Sequence, residues 1–276
     1  MPVARTDPDT IDSRRARQLE RLTALEEVLD AGTVRHLEAL GVGTGWRCLE
    51  VGAGAGSIAR WLCERVGRGG HVLATDLDTR FVEATLLHQR NGTVLRHDLL
   101  RDHLPEASFD LVHARLLLAG LAEPSHGLAR LVAALKPGGW LLAEEMDCIS
   151  VVASGGLEAG LSASVSRVLS ALHTLPEGRR VFDAAFGRRL HAELESAGLT
   201  RVRAEGRVGI WRGGSAAGHL WRLTLEQLRE PMATSSPVSS DEVEQVIALC
   251  DDPRVQLMSP VTMAAWGRRP LQGASP

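Results

Sequence analysis

The feature that most constrains this chain is Leu49-Glu50-Val51-Gly52-Ala53-Gly54-Ala55-Gly56-Ser57, followed about twenty residues later by Asp76 and Asp78. A hydrophobic run that ends in an acidic residue and passes through glycines into a helical segment reads as strand, turn and helix. Glycine carries no side chain, so such a turn lets a ligand lie directly on the backbone. The spacing narrows the choice of ligand. The glycines fall at 52, 54 and 56, whereas a dinucleotide-binding turn wants its third glycine at 57, where this chain has Ser57. Glu50, near the strand end, would also meet a pyrophosphate with like charge. A ligand with a cationic centre and an ammonium group suits the turn better.

Strands and helices alternate around this turn. Arg47–Val51, His71–Thr75, Thr93–His97, Phe109–Ala114 and Trp140–Glu145 read as strands, with helical segments at Ser57–Val66, Thr79–His88 and Pro124–Leu135 between them. That alternation predicts a parallel sheet covered on both faces. Pro137-Gly138-Gly139 is the turn into the fifth strand. Upstream, Ile11 to Leu40 has helical periodicity, and Gly32 is expected to break it into two helices. Beyond Ser150 the pattern predicts helices over Gly155–Leu175, Phe186–Ala197 (closed by Gly198) and Ser215–Leu228, and strands over Arg201–Arg207 and Val255–Ala265. Ser239 with Glu242 resembles a capping box opening a helix that runs to Leu249.

Composition removes several function classes. A net charge of −3 on 276 residues gives no electrostatic case for binding nucleic acid or an anionic membrane. No run approaches the roughly 18 apolar residues of a membrane span, and Met1–Arg14 lacks an apolar signal core, so a soluble cytoplasmic protein is expected. Cys48, Cys63, Cys148 and Cys250 form no CxxC pair, which suggests neither zinc nor a disulfide framework. The chain has no tyrosine, and its one lysine, Lys136, lies in the turn before the fifth strand. A nicotinamide-dependent reductase would want a catalytic Tyr or Lys, so that alternative is poorly served.

At this point the chain resembles the class I S-adenosylmethionine-dependent methyltransferases, in their ubiquinone/menaquinone-type and natural-product-tailoring branch that acts on small molecules. The matching residues are Leu49–Ser57, Ala74-Thr75-Asp76-Leu77-Asp78, His97-Asp98, Phe109–Arg115 and Leu135–Gly139, with the tail Ala264–Pro270 resembling the family's last section. The resemblance implies an α/β fold: a doubly wound, seven-stranded Rossmann-like sheet of order 3-2-1-4-5-7-6, its last strand antiparallel, under a helical cap. Residues 1–44 would be N-terminal cap helices, 45–150 the cofactor-binding core, and 151–276 the substrate-cap helices with the completion of the sheet. The implied cofactor is S-adenosyl-L-methionine. Gly52 and Gly54 would approach its methionine part, Gly56 would also belong to the cofactor-binding turn, and Glu50 would anchor the ammonium directly or through water. Asp76 would accept from both ribose hydroxyls, since a carboxylate offers two oxygens. Leu77 would cover the adenine face, Asp98 would accept from the adenine amino group, and Leu99 would supply a backbone N–H. Ala114 and Arg115 would line the methyl donor, and Arg21 would close over the cofactor carboxylate. Asp78 reads as a helix cap.

Methyl transfer to a hydroxyl benefits from a general base. Asp147, just past the fifth strand, is the first candidate, with Glu145 behind it. His113 lies within the fourth strand and reads either as a base or as a packed core histidine. His173 could reach in from the helical section. Trp211 and Trp221, with Leu220 and Leu223, form either part of a lid for a flat organic substrate or packing against the sheet. No acidic and amide trio suited to a metal accompanies Asp147, so no metal is expected. The expected partners are a small-molecule substrate and, as an option, a second copy of the chain in a homodimer. The competing reading is a non-catalytic methyltransferase-like binding or regulatory protein.

Overall fold

The structure is a computed structural model and describes residues 8–150, 159–174 and 182–271. Short runs rich in Val, Leu and Ala form the parallel strands β1 (Arg47–Val51), β2 (His71–Asp76), β3 (Gly92–Arg96), β4 (Phe109–Arg115) and β5 (Leu135–Asp147). With β6 (Thr200–Arg207) and the last strand, β9 (Val261–Arg268), they make a seven-stranded sheet of order β3-β2-β1-β4-β5-β9-β6. β9 is antiparallel to both its neighbours. The sheet is therefore the doubly wound α/β arrangement expected from the sequence.

Both faces are covered by amphipathic helices. Phe109, Val112 and Leu141 pack on one face against α4 (Pro124–Ala134) and α6 (Phe186–Ser196). Cys48, Val72 and Leu111 pack on the other against α2 (Ser57–Val66) and α3 (Arg80–Leu86). A third apolar cluster joins α5 (Ala159–Thr174), α7 (Ala216–Ser235) and α8 (Ser240–Leu249) around Trp211 and Trp221. The capping box at Ser239 and Glu242 is formed. Glycine closes α6 as expected, with Gly198 at φ +83°.

Two expectations are corrected. The first helix, α1 (Pro8–Ala39), runs unbroken through Gly32. A glycine inside a helix costs about 1 kcal/mol relative to alanine, which a long packed helix tolerates. Here it also makes room, because a Cβ at Gly32 would overlap the Arg207 guanidinium. The expected strand Val255–Ala265 is two strands. β8 (Gln256–Met258) pairs with β7 (Ile210–Arg212) in a separate ribbon, and the chain turns at Ser259-Pro260 before β9. Proline has no N–H for a ladder, so the break falls where pairing would lapse.

Candidate active site

The carboxyl ends of β1, β2, β4 and β5 meet at one edge of the sheet, where α1 and α7 cover them. In open α/β sheets this is where ligands bind. The glycine turn begins there. Gly52, Gly54 and Gly56 have φ of +73°, +58° and +96°, a region that side chains disfavour. Asp76 fixes the turn from the end of β2: its Oδ2 accepts the Gly54 N–H at 2.8 Å and its Oδ1 accepts the Asp78 N–H at 3.0 Å. Gly56 faces elsewhere, for a Cβ there would stand 3.1 Å from Val82 and Thr85 of α3. Its place is in the seam between α2 and α3, not at the ligand edge. The cap before α3 is Thr79, while Asp78 accepts from the Arg80 backbone N–H at 3.4 Å.

Under the turn lies a cavity of about 380 Å³. Glu50, Gly52, Gly54 and Asp76 form one wall, and Leu77, Asp98 and Leu99 lie further along it. Arg21 of α1, Arg115 of β4 and Glu145 of β5 line it from the other sides. Ala114 is 1% exposed and packs into the core below. Several buried polar atoms around the cavity have no hydrogen-bond partner among the described residues: Arg21 Nε, Ser57 Oγ, and both ring nitrogens of His97. Burial pushes the Arg21 pKa down. Unpaired buried polar groups are costly, which points to a polar ligand here.

The histidine of β4 is fully buried between two carboxylates. His113 Nδ1 is 2.7 Å from Glu50 Oε2, and its Nε2 is 3.3 Å from Glu144 Oε2. Burial alone would lower the His113 pKa, but Glu50 and Glu144 outweigh it and raise it to about 9. Glu144 is held well below the ordinary carboxylate range, against its burial, by His113, His36 and Thr33. Thr33 of α1 donates to Glu144 Oε2 at 2.5 Å and accepts from Arg115 Nη1 at 2.8 Å. Arg115 also pairs with Asp30 at 2.9 Å. A chain of paired charges thus runs from the cavity wall through the sheet to α1. Glu26 adds a second tie, accepting the Ser57 N–H at 3.0 Å.

The neighbouring carboxylates of β5 face opposite ways, as strand alternation requires. Glu144 meets α1. Glu145 Oε1 accepts from Leu117, Leu118 and Ala119 N–H at 3.1, 2.7 and 3.3 Å. Burial raises the Glu145 pKa to about 7 in spite of these donors. Its Oε2 has no hydrogen bond among the described residues. The turn it holds starts at Leu116, a non-glycine at φ +52°, so this segment stores backbone strain at the cavity's edge.

Asp147 is placed differently from what the sequence suggests. It lies outside the cavity lining, in a bidentate pair with Arg188 at 2.9 and 3.0 Å, and accepts the Ile149 N–H. That pairing argues against a role as base. His113 has no exposed surface and does not line this cavity; its ring nitrogens face Glu50 and Glu144 instead. The His173 side chain lies outside the described residues. Trp211 and Trp221 are each 8% exposed in the third apolar cluster, among the cap helices and not against the seven-stranded sheet, and Trp221 also lines the cavity. Among the described residues no acidic, His or Cys cluster suits a metal, and no helix is long and apolar enough to cross a membrane. The sequence reading missed Glu26, Thr33, Glu144 and the unpaired ring of His97. Only Glu144 left a signal, as one of two adjacent carboxylates in a strand.

Comparison with known proteins agrees with this geometry. Residues 49–141 match the family described as "Methyltransferase domain". The chain is 31% identical over 117 residues to the ubiquinone/menaquinone biosynthesis C-methyltransferase UbiE of Laribacter hongkongensis, covering 40% of this chain and 47% of that one. It is 25% identical over 181 residues to methyltransferase str3 of Strobilurus tenacellus, covering 64% and 61%. Among solved structures, phosphoethanolamine N-methyltransferase 2 of Haemonchus contortus, determined with S-adenosyl-L-methionine, superposes with a TM-score of 0.54 at 16% identity, over 91% of this chain and 57% of that one. Sheet order and glycine turn agree with the family match: residues 49–141 are similar to methyltransferase domains, and the fold is that of the solved methyltransferase. It matches about half to three-fifths of the length of these curated relatives.

Proposed function

We propose that the protein binds S-adenosyl-L-methionine in the 380 Å³ cavity and transfers its methyl group to an oxygen or nitrogen of a small organic metabolite. The observation that carries this reading is the glycine turn pinned by Asp76 over a cavity whose far side holds the buried carboxyl of Glu145. The residues present fit the cofactor. Asp76 spends one lone pair of each oxygen on backbone N–H groups and keeps others for ribose hydroxyls. Glu50, fixed by His113, offers a carboxylate to an ammonium group. Arg21 suits a carboxylate. Asp98, whose Oδ1 accepts the Leu100 N–H at 2.9 Å, and Leu99 suit the adenine edge, with Leu77 on the adenine face. The chemistry S-adenosylmethionine supplies when bound is a methyl carbon activated by a sulfonium.

The rest falls to this chain's own groups. Leu116, Leu117, Leu121 and Trp221 exclude water from the acceptor end of the cavity. Glu145, with a pKa near 7 and Oε2 uncommitted, takes the proton of an acceptor hydroxyl or ammonium. The apolar lining, with Leu116, Leu117, Leu121 and Trp221, suits a secondary metabolite with an aromatic ring. Incubating the full chain with methyl-labelled S-adenosylmethionine and a metabolite extract, followed by mass spectrometry, tests the reading. A methylated oxygen or nitrogen is expected. Cofactor binding with no transfer to any component would favour the non-catalytic alternative.

A further inference from the structure

A second cavity, of about 230 Å³, lies beside the first beneath α1 and the β7–β8 ribbon. Arg115, Met146, Leu220 and Trp221 line both, so the two are separated by the thickness of these side chains. The second cavity is walled mainly by apolar groups, among them Val28, Leu29 and Pro260. The charges at its floor are already matched: Glu144 with His113 and Thr33, and Arg115 with Asp30 and Thr33. Two donors are not. Trp211 is 8% exposed, lines the cavity, and its indole N–H is buried with no partner among the described residues. Arg207 also lines it, has no ion pair or hydrogen bond among the described residues, and lays its guanidinium on α1 where Gly32 has no side chain. A buried indole N–H without a partner and a solvent-facing guanidinium without a counter-ion, beside apolar walls whose one acidic group is already paired, suit a ligand with an apolar body and acceptor oxygens. An unpaired guanidinium makes the best of those oxygens a carboxylate.

We propose that the second cavity is a carboxylate-recognising subsite that takes the distal end of the acceptor, a flat aromatic acid, with Arg207 facing the carboxylate and Trp211 N–H donating to an acceptor oxygen. That the ligand is the acceptor rests on the methyl-transfer reading. That the cavity binds an aromatic carboxylate does not.

The probes are 2-naphthoate and its neutral isostere 2-naphthamide, titrated calorimetrically into the full chain with and without saturating S-adenosylhomocysteine. The wild type is expected to bind naphthoate about tenfold more tightly than the amide, with or without the nucleoside. Arg207→Gln, an exposed change that leaves the core untouched, should abolish that preference. Trp211→Phe should weaken both probes several-fold. Absence of naphthoate binding, equal affinity for both probes, or loss of naphthoate binding once the first cavity is filled would overturn the subsite. Failure of S-adenosylhomocysteine to bind, read in the same instrument, would instead count against the cofactor assignment and leave the probe result standing.

Discussion

At Glu145, burial and hydrogen bonding pull in opposite directions, and burial wins by enough to hold the pKa near 7. A base with that value works once it is deprotonated, so kcat should rise with pH through about 7 and then level off. Glu145→Gln keeps the shape and an acceptor oxygen for the three N–H donors. It should lower kcat by about 10²–10⁴ and flatten the pH profile, with little change in KM. An unchanged profile in steady-state kinetics would remove Glu145 from proton transfer. Asp76 offers a second test. Asp76→Asn retains one acceptor oxygen for the turn and loses the charge toward the ribose, so S-adenosylhomocysteine should bind about 10-fold more weakly with the fold intact. What the sequence conceals at this scale is partnership. Asp147 and Glu145 look alike as carboxylates at the end of one strand. Only folding brings Arg188 to the first and three backbone N–H groups to the second.

Among elements, α1 is held by polar ties as well as by its apolar stripe, in which Leu37 is fully buried. Thr33 to Glu144, Asp30 to Arg115 and Glu26 to the Ser57 N–H all reach from α1 to the cavity's rim. Thr33→Val deletes one tie and leaves Glu144 short of a donor. Amide exchange along α1 should quicken, and S-adenosylhomocysteine affinity should fall about 3–10-fold. Unchanged exchange would show that packing alone seats the helix. At the N-cap of α2, Gly56→Ala puts a side chain at φ +96° and presses it on Val82 and Thr85, so urea unfolding should report a loss of about 1–3 kcal/mol. The elements themselves were largely legible, because period-two and helical patterns are local. The unbroken α1 and the split of the last strand were not. A glycine within a helix and a Ser-Pro in a strand are judged by what packs against them, and Arg207 and the β7 partner lie far away in sequence.

Over the whole molecule, the sheet order follows from the family resemblance, while alternation supports only its parallel part. The charge chain crossing the sheet was invisible, since Glu50, His113, Glu144 and Thr33 lie on separate elements. That chain makes global stability depend on pH. His113 has its pKa raised from 6.5 to about 9, so its contribution is complete below about 6.5 and lost as pH rises through about 9. Glu145, raised from 4.5 to about 7, acts in the same direction, losing its contribution as pH rises through about 7. Urea unfolding should therefore give lower stability at pH 9 than at pH 6. His113→Leu, which strands two buried carboxylates, should cost about 3–5 kcal/mol near pH 6 and less at pH 9. A pH-independent cost would mean that His113 is neutral in the fold.

The most direct measurement is calorimetric titration of S-adenosylhomocysteine into the wild-type chain, Asp76→Asn and Asp147→Ala. Saturable one-to-one binding is expected for wild type, weakened at Asp76 and unaffected at Asp147. No heat and no thermal upshift with the wild type, or equal binding by all three proteins, would contradict the assignment of the glycine turn and its cavity to the sulfonium nucleoside.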